Sequence, residues 1–81
     1  MHHELKIEAH YLNAIFAGEK TFEIRKNDRG FQVGDSVTMT EYYPESMKIL
    51  RSKRSVTIKI TYVTDYMQTE GFVVFSFKIN Q

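Results

Sequence analysis

The side chains best suited to chemistry lie in one segment, GEKTFEIRKNDRGFQVGD, which runs from residue 18 to residue 35. Lys20 could hold a phosphate or polarise a carbonyl group. Glu23 could accept a hydrogen bond from a base amide or act as a general base. Arg25 offers a planar guanidinium group that matches phosphates and carboxylates. The segment therefore predicts a polar site in which these three side chains meet one ligand.

Strand alternation determines which of these side chains can share a face. The apolar residues Phe22 and Ile24 are two positions apart, which predicts a strand whose inward face they form. Thr21, Glu23 and Arg25 would then lie together on the opposite face. That face is either the lining of a concave site or a solvated strand surface.

Each candidate also has an ordinary structural explanation. A lysine beside a helix C-terminus, as expected of Lys20, often only compensates the helix dipole. Glu23 and Arg25 could form a surface ion pair worth about 0–1 kcal/mol, or a buried pair that fixes the register of the sheet. Asp28 and Arg29 fall in a turn signal, where polar residues bond their own backbone, although Arg29 would also add positive charge to a site.

The densest basic cluster lies further along the chain and consists of Lys48, Arg51, Lys53 and Arg54. We hypothesise that this cluster contacts the phosphate backbone of a nucleic acid; the alternative is a solvated loop. It overlaps residues 45–52, which could form a short helical turn or a long hairpin loop. Tyr42 and Tyr43 nearby could stack on bases, or could pack at a strand end.

Hydrophobic periodicity predicts one helix and five strands. The helix covers Glu8–Ala17, with Leu12, Ile15 and Phe16 at helical spacing and Gly18 as a left-handed cap. The strands are predicted over His3–Ile7, Thr21–Lys26, Ser36–Tyr43, Arg54–Thr64 and Gly71–Ile79.

Alternation within the strands indicates which faces form the core. The predicted inward-facing residues of the first and last two strands are Leu5, Ile7, Val56, Ile58, Ile60, Tyr62, Val73, Phe75, Phe77 and Ile79. Many short strands beside one helix predict an α+β fold. We expect a small mixed β-barrel of about five strands with one main flanking helix, in which closure removes exposed strand edges.

The composition limits the class of protein. A chain of 81 residues makes one domain, residues 1–81, and a hydrophobic content of 42% argues against disorder. A net charge of +1 requires any nucleic-acid site to be a local patch. The absence of cysteine excludes thiolate metal sites and fits a cytoplasmic protein. We find no signal peptide, membrane helix, metal-ligand spacing or cofactor motif, and we expect neither metal nor cofactor.

The polar segment also carries a family motif. A Gly-x-Lys-x-x-Glu-x-Arg string stands complete after the predicted helix, as Gly18, Lys20, Glu23 and Arg25. A basic-Asn-Asp-Arg turn, a Val-Gly-Asp turn and an acidic-aromatic strand end follow at Lys26–Arg29, Val33–Asp35 and Glu41–Tyr42. In these features the chain resembles the DUF3850 family, of the ASCH group in the PUA-like superfamily. The resemblance extends from His3 to about Ile79.

The resemblance implies a PUA-like β-barrel with a flanking helix. ASCH domains are commonly proposed to bind RNA, and some are small amidohydrolases that act on acetylated cytidine nucleosides. Those enzymes have a lysine at the position of Lys20 but a threonine at the position of Glu23.

Three functions follow as hypotheses. The leading one is binding of RNA or a nucleotide-like ligand in a cleft between helix and barrel, through Lys20, Thr21, Glu23, Arg25 and Arg29. The second is hydrolysis of an acylated nucleobase or nucleoside amide, with Glu23 as the base and Lys20 polarising the carbonyl. The third is a structural or interaction module without a ligand, in which the polar cluster only stabilises the fold.

Overall fold

The fold consists of a curled five-stranded sheet with one helix against it. The computed structural model describes residues 1–43 and 53–80, so the predicted turn or loop at residues 45–52 lies outside the described residues. In chain order the elements are β1 His2–Glu8, α1 Ala9–Phe16, β2 Phe22–Lys26, β3 Ser36–Tyr42, β4 Ser55–Thr64 and β5 Phe72–Ile79. The predicted α+β class, with five strands and one helix, is confirmed.

The sheet is mixed, as predicted, and has the strand order β1-β3-β4-β5-β2. β1 runs parallel to β3, while the other three neighbouring pairs are antiparallel. The two edge strands are therefore β1 and β2, and the sheet is a half-barrel in which these edges do not pair with each other. Residues of the polar segment lie beside the gap between them, so this gap positions the candidate site.

The core lies on the concave side of this sheet and follows most of the predicted alternation. Leu12 and Ile15 from α1 are buried against it. The buried apolar strand residues are Leu5, Ile7, Val37, Met39, Val56, Ile58, Ile60, Val73, Phe75 and Phe77. Phe31, from the connection between β2 and β3, joins this core with its ring centroid 5.0 Å from that of Phe75.

Two residues predicted to face inward do not. The pairing of β4 with β5 shifts between Ile60 and Tyr62, which marks a bulge. Because one extra residue reverses the alternation, Tyr62 is 64% exposed while Val63 packs against the core. Ile79 is 40% exposed because it lies at the last position of β5, where the core ends.

The predicted inward face of β2 is also wrong. Phe22 and Ile24 are 43% and 53% exposed, whereas Glu23 is only 5% exposed and Arg25 is partly buried. The physical reason is that β2 is an edge strand, and its inward side meets charged partners at the end of α1 instead of the apolar core. Burial of Glu23 is tolerated because Lys20 and Arg25 both bond its carboxylate.

Candidate functional site

A cleft of about 440 Å³ opens between the two edge strands of the half-barrel. It is lined by residues 6–8 of β1, Tyr11 of α1, Lys20, residues 22–25 of β2 and Tyr42 of β3. The cleft thus lies where the helix end meets the unpaired sheet edges. Lys20, Glu23 and Arg25 of the predicted site line it.

Lys20 is fixed at the end of the helix by backbone bonds. Gly18 has φ +77°, the left-handed conformation that ends a helix, and the amide of Lys20 donates to the carbonyl of Ala14 at 3.1 Å. The Lys20 ammonium group donates to the carbonyl of Phe22 at 2.8 Å and to the carboxylate of Glu23. The predicted Gly18 cap therefore delivers Lys20 into the cleft.

Two aromatic rings flank the same ammonium group. Lys20 Nζ lies 5.2 Å from the ring centroid of Tyr11 and 5.0 Å from that of Phe22, within the range of cation–π attraction. Its side chain is only 15% exposed. The charge is thus held in place between helix and strand, in contrast to a mobile surface lysine.

Glu23 links the cations of the site. Its Oε1 accepts from Lys20, and its Oε2 accepts from Nε of Arg25 at 2.8 Å. With a side-chain exposure of 6%, this is a buried, charge-assisted network instead of the surface ion pair considered from the sequence. The carboxylate orients both cations and is itself bonded through both oxygens.

Arg25 bridges the gap between the edge strands. Its Nη2 donates to the backbone carbonyl of Lys6 in β1 at 2.7 Å, while its Nε holds Glu23 of β2. Among the residues that the structure describes, Nη1 of Arg25 has no hydrogen-bond partner. Arg25 can therefore tie the half-barrel together and still donate to an anion in the cleft.

Exposed apolar side chains form the walls of the cleft. Tyr11, Phe22, Ile24 and Tyr42 are between 42% and 53% exposed, although such residues are usually more buried. Their position around a charged floor suits a ligand with a flat apolar part and an anionic part.

Two residues predicted for the site lie elsewhere. Thr21 is exposed, its carbonyl accepts from the amide of Phe77, and it does not line the cleft. Arg29 does not line it either, and its Nε lies 3.8 Å from Asp28 in the turn before Phe31. The structure therefore brings together Lys20, Glu23 and Arg25.

The predicted basic cluster is divided by the structure. Lys48 and Arg51 lie outside the described residues. Arg54 bonds the buried carboxylate of Glu41 through Nε and Nη2, and Nη2 also donates to Asn13 of α1 at 2.8 Å. Lys53 is exposed. The guanidinium group of Arg54 thus joins β3 to α1, and its contact with phosphate stays a prediction.

Glu41 is a buried acid whose role the sequence did not reveal. Its side chain is fully buried, and hydrogen bonds from Arg54, with a further one from Tyr43, lower its pKa to about 2 despite the opposing effect of burial. The backbone amide of Arg54 also donates to Glu41 at 2.9 Å. Glu41 follows the apolar, inward-facing Val37 and Met39 at two-residue spacing in β3. This spacing is the sequence signal that could have placed Glu41 in the interior.

His3 and Asp35 form a second buried pair that the sequence did not reveal. His3 Nε2 lies 2.8 Å from Asp35, and its ring packs edge-on against Phe31 with centroids 4.9 Å apart. The hydrogen bond with His3 is the main cause that lowers the pKa of Asp35. Asp35 also accepts from the amide of Gln32, in the predicted turn at Gly34. His3 is two positions before Leu5 in β1, so strand alternation already indicated that its side chain faces inward.

The described part of the chain contains neither a metal-binding cluster nor a membrane-spanning helix. Within residues 1–43 and 53–80, no three His, Asp or Glu side chains are grouped as they would be around a metal ion. Over the same ranges, no helix is long and apolar enough to cross a membrane.

Comparison with known proteins finds similarity over almost the whole chain. Residues 2–77 match the family profile described as a domain of unknown function, DUF3850. An uncharacterised 12.9 kDa protein in the GpA 3′ region of Escherichia phage P2 is 35% identical over 63 residues, which are 78% of this chain and 54% of the relative. The chain therefore spans about half the length of that relative. The profile match includes every residue that lines the cleft.

Proposed function

We propose, from the premise that this chain belongs to the DUF3850 family, that its cleft binds RNA or a nucleotide-like ligand. The observation that carries this proposal is the convergence of Lys20, Glu23 and Arg25 at the floor of a cleft with exposed aromatic walls. A nucleotide combines the two chemical parts that such a cleft suits, a flat ring and an anionic phosphate.

The phosphate of the ligand binds at the cationic side of the cleft. Arg25 donates through its remaining guanidinium hydrogens, and the ammonium group of Lys6 adds a second charge at the rim. The base stacks on Tyr11, Phe22 or Tyr42, since any base offers a flat face to an aromatic ring. Binding of this kind weakens as salt increases, because phosphate contacts release counterions.

The finer family assignment is part of the same proposal. We infer that the half-barrel is a PUA-like fold of the ASCH group. The support is that the motif residues Gly18, Lys20, Glu23 and Arg25 serve one structure: the first ends the helix, and the other three line the cleft.

Binding is preferred to amide hydrolysis because of the surroundings of Glu23. Both oxygens of its carboxylate accept bonds from cations, from Lys20 and from Arg25. A general base needs an oxygen within reach of the substrate proton, whereas this carboxylate serves to orient two binding groups. Hydrolysis of an acylated nucleoside remains an alternative, and a deacylation assay on the unaltered protein tests it directly.

The binding proposal is tested by titrating the protein into fluorescein-labelled short RNAs at low salt. We expect Arg25→Ala to weaken binding by about tenfold to hundredfold, the effect of losing a charge-assisted hydrogen bond. Because Arg25 also supports the fold, Lys6→Gln is a second variant, which keeps the backbone carbonyl that Arg25 uses. We expect Lys6→Gln to reduce the magnitude of the slope of log K against log salt concentration by about one.

Lys78→Gln is the matched control, since Lys78 is an exposed lysine of β5 that does not line the cleft. It should leave the affinity close to that of the unaltered protein. Equal affinities for Lys6→Gln, Arg25→Ala and the control, or no binding of any RNA or nucleotide at low salt, would overturn the proposal.

A further inference from the structure

A second groove adjoins the cleft and shares two of its lining residues. This groove has a volume of about 400 Å³, and both Lys6 and Tyr42 line it as well as the cleft. Lys6 in β1 and Thr40 in β3 are register partners on the outward side of the sheet, where they alternate with buried residues. The two depressions are therefore adjacent on one surface.

Lys53 supplies a second positive charge to the groove. It is exposed and lines the groove, while its neighbour Arg54 is bound to Glu41. Two acidic residues line the groove as well: Glu4 lies 2.7 Å from His2, and Glu41 is paired with Arg54. Lys6 and Lys53 thus both bring positive charge to the groove, which the exposed ring of Tyr42 also lines.

We propose that the cleft and the groove form one continuous path for a single strand of nucleic acid at least two nucleotides long. One nucleotide occupies the cleft and the next occupies the groove, with Lys6 at the phosphate between them and Lys53 at the following phosphate. Tyr42 contacts both nucleotides. Each depression has the size of a site for one small ligand, for which volumes of about 300–1,000 Å³ are usual. This inference rests on the proposed function of the cleft.

The length of the preferred ligand tests the path. Affinities are measured by calorimetry for uridine monophosphate, for a di-uridine and a tetra-uridine RNA, and for a tetra-thymidine DNA. We expect tetra-uridine to bind about tenfold or more tightly than the mononucleotide, because a further base stacks and further phosphates are bound. Tetra-thymidine binding as tightly as tetra-uridine supports the path and shows that DNA as well as RNA can follow it.

Substitution of Lys53 tests the contribution of the groove to binding separately from that of the cleft. We expect Lys53→Gln to weaken tetra-uridine binding by about threefold to tenfold, the effect of one phosphate contact, and to leave mononucleotide binding unchanged. Lys78→Gln removes the same charge from an exposed position outside both depressions and should change neither affinity.

The failure of the path is distinct from failure of the cleft. Equal affinities for the mononucleotide and for all three oligonucleotides, or a tetra-uridine affinity that Lys53→Gln does not change, would overturn the path and leave the binding function of the cleft intact. No binding of any of the four ligands would overturn both.

Discussion

Glu23 is placed between two cations at the floor of the cleft, and both of its carboxylate oxygens are bonded. A carboxylate in this position compensates the charges of Lys20 and Arg25 and holds them a fixed distance apart. It therefore gives the site positive groups that are ordered before a ligand arrives, which reduces the entropy lost on binding. The same network stabilises the sheet edge, so the structural and the functional explanations of the polar segment are compatible.

The second buried acid, Glu41, makes the stability of the protein depend on pH. Its pKa in the folded state is about 2, below the usual 4.5, chiefly because of the hydrogen bonds from Arg54. A lowered pKa in the folded state means that the ionised form is stabilised by folding. This contribution is complete above about pH 4.5 and is lost as the pH falls from there towards 2.

We predict that Glu41→Gln lowers the free energy of unfolding at pH 7 by about 1–3 kcal/mol, because charge-assisted hydrogen bonds to Arg54 are lost. The difference between this variant and the unaltered protein should shrink as the pH falls from 4.5 to 2. Urea unfolding of both proteins at a series of pH values measures this difference in the free energy of unfolding. Asp35 is present in both proteins, so its own titration cancels in the difference.

The control is Glu70→Gln, which removes a carboxylate from an exposed turn residue. Its effect should be small and should not change over the same pH range. A Glu41→Gln difference that stays constant from pH 7 to pH 2 would contradict the role assigned to the Glu41 carboxylate.

At the scale of elements, β2 determines the character of the site. This edge strand turns its polar residues inward and its apolar residues Phe22 and Ile24 outward, against the usual arrangement. The inversion has two consequences for the cleft. It places Glu23 beside Lys20 at the end of α1, and it leaves apolar side chains exposed at the cleft wall. An edge strand can adopt this arrangement because it pairs with one neighbouring strand, here β5, and has no second strand to match.

Two isoleucines offer a direct test of this inversion. We predict that Ile24→Ala changes the free energy of unfolding by less than about 0.5 kcal/mol, as for other exposed positions. Ile58→Ala, at a fully buried position of β4, should lower it by about 2–5 kcal/mol. Urea unfolding of both variants measures the contrast. Similar losses in the two variants would show that Ile24 is part of the core, as simple alternation predicts.

The sequence predicted most elements because their signals are local. Periodicity alone predicted the helix before Gly18 and the alternation of β1, of β4 as far as Ile60 and of β5 as far as Phe77. The face of β2 could not be predicted, because the choice depends on Lys20 and Arg25 neutralising Glu23 in three dimensions. The bulge after Ile60 was missed for a similar reason, since it is defined by pairing with β5.

At the scale of the whole molecule, the site exists because the sheet stays open. β1 and β2 are the ends of the strand order, and they are joined across the gap by the side chain of Arg25 and the carbonyl of Lys6. A fully hydrogen-bonded barrel would have closed the cleft. Strand order of this kind depends on contacts between distant residues, so the sequence indicated a barrel but did not indicate where it would remain open.

The central claim is that the open edge between β1 and β2 binds a nucleotide. The most direct test is nuclear magnetic resonance of ¹⁵N-labelled protein titrated with the tetra-uridine RNA. We expect the largest amide shifts at residues 6–8 and 20–25 and at Tyr42, with small shifts at the β4–β5 turn, residues 65–71. Saturable shifts confined to that turn, or no shifts at millimolar RNA, would contradict the claim.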